Sequence, residues 1–140
     1  VSHGGLMRCY SSDALTETMA PYLPIDGFNP EDWLADHKNI ALEISGDFAL
    51  FEYVNKGVYT GHYFFRSRGK RAVERGRDLL HEAFMGGHGI KAIRGLSPLE
   101  KLGARWLNKQ LGFKSYGVVQ TIAGPCELVI LTKQEYLERG

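Results

Sequence analysis

Six bases crowd around one glycine: Arg66, Arg68, Lys70, Arg71, Arg75 and Arg77, with Glu74 the one acid among them. Basic side chains at the start of a helix oppose the helix dipole, whose positive end lies there. An anion relieves that conflict, because the first-turn N–H groups and the bases can then share one negative charge. The chemistry implied is phosphate binding. The main-chain amides of Arg68, Gly69, Lys70, Arg71 and Ala72 would form the cradle, and Arg66, Arg68 or Lys70 would add charge-assisted bonds. The alternative at this place is a solvated basic helix start.

Proton transfer has its own candidates. Glu52 alternates with Phe48, Leu50 and Val54 on one strand face, where apolar neighbours disfavour its charged form. His62 lies in the aromatic-rich segment leading into the glycine turn, and histidine is the residue type suited to moving protons near neutrality. Either can be a base, and Glu43 is a third candidate. The competing reading for both is an edge or surface residue. Tyr116, at the start of a later strand, is a candidate acid, or else a packed strand aromatic. Ser97 can hydrogen-bond a bound ligand, although Ser97-Pro98 is also a plain helix start. Trp106 reads as core, because it falls on the apolar stripe of its helix.

The elements that position these residues follow from patterning. Residues 6–10 carry a weak strand signal, and Ser12 or Asp13 caps a short helix through Met19 that Pro21 and Pro24 stop. Asn29-Pro30-Glu31-Asp32 opens another short helix, over 30–35. An antiparallel meander is then expected over 40–44, 48–54 and 58–65, with turns at 45–47 and 55–57. A helix beginning near Ala72 places Val73, Gly76, Leu79, Leu80, Ala83 and Phe84 on one stripe, and residues 86–89 end it. The β-branched run 90–93 completes a parallel strand–helix–strand crossover. Pro98 opens a second amphipathic helix through Leu99, Leu102, Leu107 and Leu111 to Gly112, followed by a hairpin of strands 116–122 and 127–132.

Composition bounds the whole. A chain of 140 residues with 44% hydrophobic content is expected to form a single domain over 1–140, with a core that needs no metal or disulfide staples. Residues 1–5 are set aside as a frayed terminus or an expression remnant. A net charge of +1 is unlike a surface built wholly for nucleic acid, yet leaves room for a local polyanion site. Cys9 and Cys126 are too few for a disulfide framework and lack zinc-ligand spacing, so no metal and a reduced, cytoplasmic setting are expected. The aliphatic run 128–131 is far too short to span a bilayer, and solubility is expected.

The order of elements resembles the GCN5-related N-acetyltransferase (GNAT) superfamily, and two local patterns carry the resemblance. The family's turn reads Gln or Arg, two residues, Gly, one residue, then Gly or Ala; here it is Arg66-Ser67-Arg68-Gly69-Lys70-Arg71-Ala72, with Arg71 in the place of the small residue. The family's later helix ends in an aromatic, two residues, then Leu-Gly-Phe, and residues 104–113 here reproduce the Leu111-Gly112-Phe113 ending. Asn108 occupies the position where many members carry the tyrosine that protonates the departing thiolate.

The resemblance implies a mixed α/β, mostly antiparallel sheet of six to seven strands, splayed between strands 4 and 5, with helices on both faces. It implies acetyl-CoA as co-substrate, direct transfer to an unidentified amine, and a cofactor path along Phe64, Phe65, Arg66, Arg68, Gly69, Lys70, Arg71, Ala72 and Ser97. The compact form is also similar to small GNAT-like proteins of tailed bacteriophages, some of them virion-associated. That implies a host-cytoplasm or virion location, and a second reading as a structural or interaction protein with lapsed catalysis. A third reading is a nucleic-acid module on the basic helix face, but the interleaved exposed aromatics expected there are lacking. Neither membrane nor specific nucleic-acid binding is expected, and a homodimer is compatible with the chain.

Overall fold

The computed structural model of the chain describes residues 6–9, 12–20 and 29–139. The stops assigned to Pro21 and Pro24, and the strand end at Tyr10, lie outside them. Helix α1 (Ser12–Met19) runs where expected, after a two-residue strand β1 (Met7–Arg8). Helix α2 (Pro30–Ala35) begins at the predicted signal: Asn29 Oδ1 accepts from the amides of Glu31 and Asp32 at 2.9 and 3.1 Å.

Strands β2 (Ile40–Ile44), β3 (Asp47–Asn55) and β4 (Val58–Phe64) form the expected meander, with Phe48 opposite Phe64, Leu50 opposite His62 and Glu52 opposite Thr60. Period-two alternation gives the sheet two buried faces. Phe48 and Leu50 pack with Leu15, Met19 and Trp33 beneath α1 and α2. Ala49 and Phe51 point the other way, toward helix α3 (Gly69–Met85) and its Val73, Leu79, Leu80 and Phe84.

Helix α3 crosses over to β5 (Ala92–Pro98), which pairs with β4 in parallel. Helix α4 (Leu102–Gln110), β6 (Lys114–Thr121), β7 (Gly124–Thr132) and α5 (Lys133–Glu138) complete the fold. The sheet has seven strands in the order β1-β2-β3-β4-β5-β7-β6, and among the described strands only β4–β5 is a parallel pair. No described helix is long and apolar enough to cross a membrane.

Several expectations are corrected. Helix α3 starts at Gly69 rather than near Ala72, because Asp47 fixes Arg66 and Ser67 and the chain turns at once. Asp47 is the first residue of β3, not part of the turn before it. Strand β5 runs to Pro98 because its antiparallel ladder with β7 continues from Ala92 opposite Thr132 to Pro98 opposite Cys126. That displaces the start of α4 to Leu102. Trp106 is 45% exposed rather than core, and Leu102 is exposed too, because α4 flanks an opening in the sheet instead of lying flat on it. The last hairpin is longer than predicted, its turn confined to Ile122 and Ala123.

Candidate active site

The β4–β5 ladder consists of Val58 with Ala92, Tyr59 with Ile93 and Thr60 with Arg94, and then stops. Beyond that point the strands diverge, and a cleft of about 470 Å³ opens between them. One wall is residues 61–64 of β4 with Phe65, Ser67, Arg68, Gly69 and Ala72. The other is residues 95–98 of β5 with Gly103, Ala104, Trp106, Leu107 and Asn108 of α4.

Asp47 builds the end of the cleft near α3. Its side chain is 1% exposed. Oδ1 accepts from the amides of Arg66 and Ser67 at 2.7 and 3.1 Å, Oδ2 accepts from Ser67 Oγ at 2.5 Å, and Arg75 Nε lies 3.5 Å away. One buried carboxylate therefore ties the glycine turn to the sheet. Sequence reading missed it, since Ser45-Gly46-Asp47 is ordinary turn chemistry.

With the turn held, helix α3 presents its first amides. No side chain caps them. Helical geometry commits the Ala72 N–H to the Arg68 carbonyl, so the amides available for an anion are those of Arg68, Gly69, Lys70 and Arg71, one residue fewer than the sequence implied. Gly69 has φ +59°, and a Cβ built on it would meet nothing within 4 Å, so the backbone faces open space. Arg68 Nη1 donates to the carbonyls of Phe65 and Ser67, at 2.5 and 3.0 Å, which folds that side chain over the turn. Arg66, Lys70 and Arg71 are exposed and stand outside the lining of the cleft.

At the opposite end, β3 and β4 bring two predicted residues together. His62 lines the cleft, and its Nε2 lies 3.7 Å from Glu52 Oε1. Glu52 shares its face with Phe48 and Leu50 as expected, but the apolar effect predicted for it does not prevail. The His62 imidazole holds the carboxyl below the usual carboxylate range, outweighing the opposing effect of partial burial, with smaller contributions from Trp33 and Arg94. Glu43, opposite Phe48 on β2, is not among the cleft residues.

Ser97 and Asn108 meet across the far wall. Both are buried, Asn108 at 6% exposure, and Asn108 Nδ2 donates to Ser97 Oγ at 2.9 Å. The serine oxygen is thereby an acceptor, and its own proton is left to be donated elsewhere. Tyr116 is not brought to this site: it is 58% exposed on β6, the outermost strand, away from the cleft lining. Tyr63 is among the cleft residues, and its ring packs against Phe65. The Tyr63 hydroxyl is buried with no hydrogen-bond partner among the described residues, and burial raises its pKa.

No family model and no curated protein sequence matches the chain. Solved structures do. A variant of spermidine N-acetyltransferase SpeG from Vibrio cholerae superposes with a TM-score of 0.76 at 11% identity, covering 96% of this chain and 98% of that one. The chain has the GNAT fold. Aminoglycoside acetyltransferase AAC(6')-Ib, in complex with coenzyme A and kanamycin, is similar with a TM-score of 0.69 at 16% identity over 97% of this chain and 99% of that one. A GNAT-family acetyltransferase from Bacillus anthracis gives 0.64 at 14% identity over 94% and 96%. The splay between the fourth and fifth strands, expected from the GNAT resemblance, is the cleft described above.

Proposed function

We propose that the chain is an acetyl-CoA-dependent N-acetyltransferase that moves the acetyl group directly to an amine. The observation that carries this reading is one cleft with uncapped helix amides at one end and His62 at the other. Coenzyme A bound in similar folds supports it. The pyrophosphate would sit on the amides of residues 68–71, where fixed donors and basic side chains need an anion. The pantetheine arm would run between the diverging strands, and main-chain donors near Phe65 would polarise the acetyl carbonyl.

His62 takes the proton of the attacking amine, and Glu52 orients the imidazole and stabilises its charged form. The amine nitrogen bonds to the carbonyl carbon, the carbon–sulfur bond breaks, and its electron pair leaves on sulfur. Ser97 donates a hydrogen bond to that thiolate but keeps its own proton, and solvent supplies the proton that neutralises the thiolate.

Asn108 can donate a hydrogen bond but cannot act as an acid. Loss of a general acid costs on the order of 100-fold in rate. In an assay of thiol release from acetyl-CoA with a panel of primary amines, the wild type is expected to turn over slowly. Asn108→Tyr is expected to recover part of the deficit, while Tyr116→Phe leaves the rate unchanged. Equal rates for wild type and Asn108→Tyr, with both folded, would remove the thiolate role from this position.

The Asn108–Ser97 bond also favours a second reading, a cleft that binds coenzyme A without turnover, in keeping with the resemblance to phage GNAT-like proteins. Coenzyme A binding with no thiol release for any amine would select it.

A further inference from the structure

Arg94 is a partly buried cation that makes no ion pair with a carboxylate among the described residues, although its charge reaches Glu52 from further off. It stands at the last pair of the β4–β5 ladder, opposite Thr60, and its Nε donates to Thr60 Oγ1 at 2.9 Å. Thr60 is itself buried, so this bond fixes the plane of the guanidinium. The two terminal amino groups have no acceptor among the described residues. The nearest acid in register, Glu52, is opposite Thr60 on the next strand and turns to His62.

A guanidinium held by Nε presents its two Nη groups as a fork, the geometry that takes a planar carboxylate in a bidentate pair. His62 lies on the same sheet face, two residues along β4 from Thr60. One strand spacing and two residue rises put the Arg94 and His62 backbones about 8 Å apart. Arg94 reaches across to Thr60 on the strand that carries His62, and the backbone separation is one that a small molecule can span.

We infer that the acceptor is zwitterionic, a small amino acid whose carboxylate pairs with Arg94 while its amine faces His62. The inference rests on the acetyltransferase reading and names the substrate class of that site. It sets this chain apart from its structural neighbours. Kanamycin, bound by one of them, and spermidine, the substrate in another's name, are polycations, which a guanidinium beside the acceptor amine would repel.

The test compares glycine, β-alanine and alanine with their carboxamides, and with spermidine and kanamycin, as acceptors. The amino acids are expected to exceed their carboxamides in kcat/KM by about 10-fold or more, the range a charge-assisted pair supplies. Arg94→Gln is expected to raise KM for the amino acids by about 10- to 100-fold, with kcat nearly constant and carboxamide kinetics unmoved. Arg94→Lys should restore part of the KM, keeping the charge but losing the fork.

Equal losses for amino acids and carboxamides in Arg94→Gln would show a structural role and overturn the inference, as would preference for spermidine or kanamycin. Calorimetry with coenzyme A on the same samples separates the two failures. Bound coenzyme A with no transfer to amino acids defeats the acceptor assignment alone. Absence of coenzyme A binding defeats the acetyltransferase reading together with it.

Discussion

Asp47→Ala is expected to lower stability by about 3 kcal/mol and to weaken coenzyme A binding with it. The carboxylate accepts three hydrogen bonds from Arg66 and Ser67 in a site closed to water, with Arg75 beside it. Removing it leaves those main-chain donors and the arginine without their acceptor, which is the costly way to break a buried charged network. A loss of that size lowers the melting temperature by roughly 10 °C in a domain of this length. Binding suffers separately, because the amides of residues 68–71 are aimed only while the preceding two residues are tied to β3. Asp47→Asn keeps an acceptor for the Arg66 and Ser67 amides and is expected to lose less of both. Thermal melts and coenzyme A titrations of the two variants check this, and an unchanged melting temperature with unchanged affinity in Asp47→Ala would contradict it.

His62→Ala is expected to lower kcat by about 100-fold, the usual scale for losing a general base, with coenzyme A affinity unchanged. Glu52→Gln is expected to cost less, about 10-fold, since it acts through the imidazole. Histidine holds the Glu52 carboxyl below its ordinary value of 4.5, so the contact contributes above that value and is lost as pH falls through the lowered one. The difference in kcat between wild type and Glu52→Gln should therefore narrow on acidification. Steady-state rates with an identified acceptor, measured across pH for all three proteins, check both claims. Wild-type turnover by His62→Ala would place the base elsewhere.

Much of this site was legible in local sequence. The Asn29 cap, the alternation through Phe48, Leu50 and Glu52, and the glycine turn before a basic amphipathic helix each arise from neighbours within a few residues, and the corresponding elements formed. What was not legible depends on contacts distant in the chain. Asp47 bonds residues 19 and 20 positions away, so nothing near it distinguishes it from a turn aspartate. The end of β5 is set by its ladder with β7, where Pro98 pairs with Cys126, distant in the chain, and Pro98 closes that strand rather than opening a helix. Trp106 lies on an apolar stripe that looks like core, but Trp106 and Leu107 line a cleft that exists only because β4 and β5 part. The bond from Arg94 to Thr60 likewise crosses the ladder between residues distant in the chain.

The central claim is that coenzyme A binds with its pyrophosphate on the start of α3. Titration calorimetry of coenzyme A into the wild type and Gly69→Val tests it most directly. Gly69 sits at φ +59° with open space before it, so valine strains the backbone by about 1–2 kcal/mol and fills the approach to the amides. The wild type is expected to bind with a Kd between about 1 μM and 1 mM, and Gly69→Val at least about tenfold more weakly while still folded. No heat and no thermal shift with coenzyme A in the folded wild type, or equal affinity in both proteins, would contradict the account.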